Sequence, residues 1–151
     1  MKKTIEYTND TEYLDILRTL IREKSRKLGG PFDAYNAFRK YALESQEHFL
    51  VATLNGAHEI VDTFVVTIGL ANRTLVHPRE VYRKAVQDSA CAIIVGHNHP
   101  SGNLEPSIED LEITKRLQEA GKVLGIPMLD HLIIGSQGYH SMIESGDITQ
   151  S

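Results

Sequence analysis

The sequence predicts a mixed α/β domain over residues 41–151, preceded by a helical extension over residues 1–40. Three observations predict it. Ala90-Cys91-Ala92-Ile93-Ile94-Val95 is a short, wholly apolar run, the pattern of a central strand buried on both faces. Asn55-Gly56 joins two strand-like segments, and both residues tolerate the positive φ of a tight hairpin. Around these strands, apolar residues recur at helical spacing.

The elements follow in order. Leu14, Leu17, Leu20, Ile21 and Leu28 mark an amphipathic helix over residues 10–28, stopped by Gly29-Gly30. Pro31 suits the first turn of a second helix, where its missing N–H costs nothing. That helix runs to about Leu43, with Phe32, Tyr35, Phe38 and Tyr41 as its apolar stripe. Residues 49–54 read as a strand, and the hairpin returns over residues 59–68. Residues 78–88 read as a helix with Val81, Ala85 and Val86 inward. The apolar strand over 90–95 comes next, with Cys91 in mid-strand as an inert core residue. A polar loop covers residues 96–106. Ser107 has the chemistry of an N-cap, and its helix runs to about Leu124 with Ile108, Leu111, Leu117 and Leu124 near one side. A last strand covers residues 128–134, and a short strand or turn lies near Tyr139 and Ser141.

Composition narrows the function classes. A chain of 151 residues suits one domain with a short appendage, long enough to bury a core unaided. Hydrophobic residues at 41% and charged residues at 24% argue against disorder. No apolar run approaches the roughly 18 residues that span a bilayer. The start, MKKTIEYTNDTEY, turns polar before a signal-peptide core can form, so the cytoplasm is the expected compartment and no membrane partner is expected. One cysteine excludes an internal disulfide and any multi-cysteine zinc site. The net charge of -4 argues against a dedicated nucleic-acid binder. Residues 1–40, however, carry nine basic against six acidic side chains, a balance of +3, and the remainder seven against fourteen, a balance of -7. The basic excess at Arg22, Lys24, Arg26, Lys27, Arg39 and Lys40 reads as a solvated helix face, or as a weak contact to nucleic acid or an acidic partner.

The informative segment is Gly96-His97-Asn98-His99-Pro100-Ser101-Gly102, continuing to Ser107-Ile108-Glu109-Asp110. Two histidines at i and i+2, leaving the end of a buried strand, can point into one cavity if the loop bends. Pro100 and Gly102 supply the bend. Asp110 falls in the first turn of the next helix, where the helix dipole favours a carboxylate. Two imidazoles and one carboxylate suit zinc with a fourth position left for water. The alternative is a pair of solvent-exposed loop histidines without a metal.

These residues carry a resemblance. His97-x-His99, seven intervening residues, then Ser107-x-x-Asp110 matches the zinc motif of the JAMM (MPN+) metalloproteases. The wider run resembles the RadC branch of that family: Val76-His77-Pro78-Arg79-Glu80, the metal loop, and Leu129-Asp130-His131-Leu132-Ile133-Ile134-Gly135. The resemblance covers roughly residues 41–147. It implies a cytidine-deaminase-like fold (a JAB/MPN domain), a mixed sheet flanked by helices. It also implies a Zn²⁺ site built from His97, His99 and Asp110, and hydrolysis of a peptide or isopeptide bond in a protein or peptide substrate. In the family's hydrolytic members a glutamate takes a proton from the zinc-bound water and a serine hydroxyl stabilises the oxyanion. Ser107 matches the serine and can cap its helix as well. Glu47 matches the glutamate, in phase with Phe49 and Val51 on one strand face; Glu44, nearer the preceding helix, is the alternative.

Smaller expectations attach to other residues. His131 can orient the metal loop from behind, or be a hydrogen-bonded core histidine. Asn98 and Ser101 can touch substrate, or hold the turn. His77 reads as a helix-start residue, Arg79 and Glu80 as a structural pair, and His48, His58 and His140 as surface or structural. No His-Glu-x-x-His, Pro-Cys-x-x-Cys or Gly-x-x-x-x-Gly-Lys occurs, which sets aside three other catalytic families. Longer RadC relatives carry a helix-hairpin-helix DNA-binding module, and residues 1–40 show only Gly29-Gly30 without its glycine-spaced hairpin. Three readings result: a zinc hydrolase, a DNA-associated accessory protein of repair or recombination, and a non-catalytic interaction module. A complete ligand set favours the first.

Overall fold

A computed structural model describes residues 10–24, 27–69 and 76–150, with side chains of the first helix described for residues 11–20. The basic residue Arg26, and the side chains of Ile21, Arg22 and Lys24, lie outside that description. The elements are α1 (Asp10–Lys24), α2 (Pro31–Phe38) running into a 3-10 turn (Arg39–Tyr41), β1 (His48–Leu54), β2 (Ile60–Ile68), α3 (Pro78–Gln87), β3 (Ala92–Asn98), α4 (Ile108–Leu124), β4 (Met128–Gly135) and β5 (Gly138–Ser141). The strands form one sheet in the order β2-β1-β3-β4-β5. β3 and β4 are parallel, joined by α4; the other three pairings are antiparallel. This is the expected mixed α/β architecture. Among the described residues, no helix is long and apolar enough to cross a membrane.

The sheet separates two cores. On one face Phe49, Val51, Ile93 and Val95 pack with Val81, Tyr82 and Ala85 of α3 and Ile113 and Leu117 of α4. On the other, Leu50, Ala52, Leu54, Ile94, Leu132 and Ile134 pack with Ala34, Tyr35 and Phe38 of α2. The alternation along β1 and β3 divides the two sets, and both faces are covered. α2 approaches closely because position 96 is glycine: a Cβ there would lie 2.8 Å from Phe38 Cδ2. Tyr35 Oη reaches across to donate to the Gly135 carbonyl at 2.9 Å.

Several expectations are corrected. α1 ends at Lys24, and Lys27 instead forms an isolated antiparallel backbone β-bridge with Glu59. Leu14 and Leu20 are exposed, as is Phe32 of α2. In α3 the inward set is Val81, Tyr82 and Ala85, and Val86 is exposed. In α4 the buried stripe is Asp110, Ile113, Thr114, Leu117 and Gly121. Ile108 and Leu111 are exposed because 3.6 residues per turn carries Ile108 to the side opposite Leu117 and Leu111 about 120° round from it. β3 begins at Ala92 and extends through Asn98, so His97 is a strand residue and the loop starts at His99. Cys91 precedes the strand and is exposed. Its N–H donates to the Leu54 carbonyl at 2.7 Å, holding the chain at the sheet's end while the thiol faces out.

Candidate metal centre

The centre forms where β3 ends and α4 begins. Strand alternation sends His97 to the α3/α4 face, stacked on Phe49 with centroids 6.1 Å apart. His99 lies just past the strand end. Asp110 is brought in by its helix cap. Ser107 Oγ accepts from the Asp110 N–H at 3.1 Å, and the Ser107 N–H donates to Asp110 Oδ2 at 2.8 Å. This reciprocal capping box fixes the carboxylate's direction. One ligand-capable atom from each of His97, His99 and Asp110 falls within 4.8 Å of the others. The two Nε2 atoms are 2.9 Å apart. His97 Nε2 lies 3.2 Å from Asp110 Oδ1, and His99 Nε2 lies 3.2 Å from Asp110 Oδ2. Ligands on a tetrahedral zinc with ~2.05 Å bonds sit roughly 3.3 Å apart, close to this spacing.

Burial grades the group. Asp110 is fully enclosed and His97 nearly so, while the His99 side chain keeps 11% exposure. The centre therefore has a closed back and a solvent side at His99. Burial pushes the His97 imidazole pKa down, against the hydrogen bond and charge of Asp110. Burial works to raise the Asp110 carboxyl, but bonds with His97 and His99 outweigh it and hold it well below the usual range. The pair thus favours a neutral imidazole beside an ionised carboxylate, the state that binds a metal.

Hydrogen bonds behind the ligands fix which ring nitrogens face inward. His99 Nδ1 lies 2.5 Å from the Asn103 carbonyl, which can only accept, so Nδ1 carries hydrogen. His97 Nδ1 lies 2.8 Å from His131 Nε2. His131 Nδ1 in turn lies 2.6 Å from Thr114 Oγ1. With its Nδ1 spent, a neutral His99 turns a bare Nε2 lone pair toward the point where His97 Nε2 and the Asp110 carboxylate also converge. Such a trio needs positive charge at its centre. A proton satisfies one pair, whereas a metal ion satisfies all three, so the donor set fits a divalent cation.

The other expected residues fall around this group. Glu47 lies directly before β1, half-buried, and its charge acts on His97. Glu44 is exposed and enters through its backbone, whose carbonyl accepts from Asn98 Nδ2 at 3.2 Å. Asn98 is fully buried and serves that same segment. Its Oδ1 accepts from the His48 N–H at 2.7 Å, and its Nδ2 also donates to the Gln46 carbonyl at 3.0 Å. It clamps residues 44–48, on which Glu47 rides, rather than lining the loop. Ser101 is exposed and its Oγ accepts from the Asn103 N–H at 3.3 Å, holding the turn. His131 is fully buried behind His97. His77 caps α3, its Nδ1 accepting from the Arg79 N–H at 3.0 Å. Sequence reasoning missed Thr114. The available signal was its spacing, four residues after Asp110 on one helix, which places both on the same face.

The chain is similar to UPF0758 proteins of Methanosarcina mazei (41% identical over 131 residues, 86% of this chain and 57% of the relative) and Staphylococcus carnosus (47% over 121 residues, 80% and 54%). A UPF0758 protein of Methanospirillum hungatei is 63% identical over 90 residues, 60% of this chain and 40% of the relative. The chain spans about half the length of the curated relatives it matches. The family model of the RadC-like JAB domain matches residues 28–147, from the turn before α2 to the end of the segment after β5, and the chain belongs to the RadC-like JAB domain family.

Proposed function

We propose that the chain is a zinc-dependent hydrolase of the JAMM type, cleaving a peptide or isopeptide bond. The observation that carries this reading is the convergence of His97 Nε2, His99 Nε2 and the Asp110 carboxylate on one point. His97 and His99 would hold Zn²⁺ through Nε2, and Asp110 through its carboxylate. When bound, zinc supplies Lewis acidity, lowering the pKa of water and polarising a carbonyl. Glu47 takes the proton of the attacking water and later delivers it to the leaving nitrogen. Ser107, whose Oγ accepts from the Asp110 N–H, is the hydroxyl that would donate to the oxyanion developing at the scissile carbon. Such a donor is worth roughly 2.7–4 kcal/mol in other hydrolases. Asp110 offsets cationic charge at the centre, and the open side at His99 admits the substrate.

The test is metal content by mass spectrometry, followed by a peptide and isopeptide substrate screen. About one zinc per chain, lost in Asp110→Ala and kept in Glu47→Gln, is the expected result. Hydrolysis should fall in both variants. Unchanged hydrolysis in Glu47→Gln removes that residue from the mechanism. A protein that takes up no zinc under non-chelating conditions overturns the proposal.

A further inference from the structure

We infer that Thr114 is a positioning residue that selects the metal-binding tautomer of His97 through His131. The inference rests on the metal reading above and adds a device to it. Its starting point is one hydroxyl with one proton. Thr114 Oγ1 lies 2.5 Å from the Asp110 carbonyl and 2.6 Å from His131 Nδ1. The carbonyl can only accept, so two bare oxygens would face each other at that distance unless the Thr114 proton lies between them. Donation to the Met142 Sδ, 3.5 Å away, would leave that clash in place. The hydroxyl therefore donates to Asp110, the common back-bond of a helical threonine.

The rest follows by elimination. Having spent its proton, Thr114 Oγ1 can only accept from His131, so His131 carries hydrogen on Nδ1. A neutral His131 then presents a bare Nε2, 2.8 Å from His97 Nδ1. His97 must donate there, and its own lone pair is left on Nε2, facing His99 and Asp110. Asp110 thus acts twice. Its carboxylate faces the metal position, and its backbone carbonyl sets the proton order of a relay that returns to His97. All four residues are buried, so water does not compete for these bonds. The relay also joins α4, β4 and β3, so the ligands from different elements share one orientation.

The test reads tautomers and metal affinity separately, on the full chain. Imidazole ¹⁵N shifts should show hydrogen on Nδ1 and a bare Nε2 for His131 in the metal-free protein, and hydrogen on Nδ1 of His97 in the zinc-loaded protein. Thr114→Val keeps the shape but removes the relay. It should shift His131 toward the Nε2–H form and weaken Zn²⁺ binding, measured by chelator competition, about 10–100-fold. Thr114→Ser should restore both readouts. A wild-type His131 carrying hydrogen on Nε2, or a folded Thr114→Val with unaltered tautomers and zinc affinity, overturns the inference while leaving zinc uptake intact. Wild-type protein that binds no zinc overturns the metal reading itself and the positioning role with it. The wild-type measurement decides even if the valine variant does not fold.

Discussion

Asn98→Ala separates the candidate metal ligands from the segment that carries Glu47. The wild-type side chain makes three hydrogen bonds, to the His48 N–H, the Glu44 carbonyl and the Gln46 carbonyl. Truncation leaves the buried His48 N–H without that acceptor, at about 1–3 kcal/mol. Residues 44 and 46 are exposed, so water can reach their carbonyls and these two losses are smaller. The vacated amide volume adds a cavity cost, giving roughly 2–4 kcal/mol in total. For a chain of this size each kcal/mol lowers Tm by about 2–4 °C. Urea unfolding monitored by circular dichroism measures the loss, and metal content is read on the same samples. Zinc should stay near the wild-type level, because the ligand side chains are untouched, while the proposed hydrolysis falls with the loosening of Glu47. A loss of stability under about 0.5 kcal/mol, within the range of ordinary surface substitutions, would refute the clamp. Equal loss of zinc and of hydrolysis would refute the division of labour.

Other outcomes follow from local geometry. A Cβ at Gly121 would lie 2.6 Å from the Ile126 carbonyl oxygen and collide with Tyr82 Oη, so Gly121→Ala should cost about 1–3 kcal/mol in urea unfolding. Tyr82→Phe removes one of those atoms, and the double variant should lose less than the sum of the singles. Ser107→Ala removes the acceptor for the Asp110 N–H and should cost ~1 kcal/mol of stability while weakening zinc binding. Hydrogen bonds from Ser145 and His140 hold the Asp147 carboxyl below its ordinary value. A depressed carboxylate stabilises the fold above its unfolded pKa and loses that contribution as pH falls through the folded value. Melting temperature should therefore fall less steeply on acidification in Asp147→Asn than in wild type.

The elements were legible because their signals are local and strong. Asn55-Gly56 falls in the hairpin loop, although the left-handed residue there is His58 at φ 59 rather than either of them, and Ser107 to Gly125 is bracketed by a side-chain cap and a left-handed glycine at φ 70. The candidate metal trio was legible because its residues fall within one short stretch, 97–110, and match the motif of a known family. What failed was direction. Ile108 and Leu111 look like core by composition, but helical phase turns them to solvent, and the same phase turns Thr114 inward. The contribution of Asn98 was illegible for another reason. Its partners lie 50 to 54 residues earlier, and only the pairing of β1 with β3 brings that segment beside it.

The exposed thiol of Cys91 turns this strand into a ruler. It is the chain's single cysteine, so any thiol reagent attaches at one position. β3 runs from just beyond Cys91 to His97, and at ~3.3 Å per residue the two are separated by roughly 20 Å of extended chain. A spin label or fluorophore there sits at the opposite end of a rigid central strand from the metal position. Loading with a paramagnetic ion such as Co²⁺ would then broaden or quench the label by an amount set by that separation, reporting occupancy without touching a ligand.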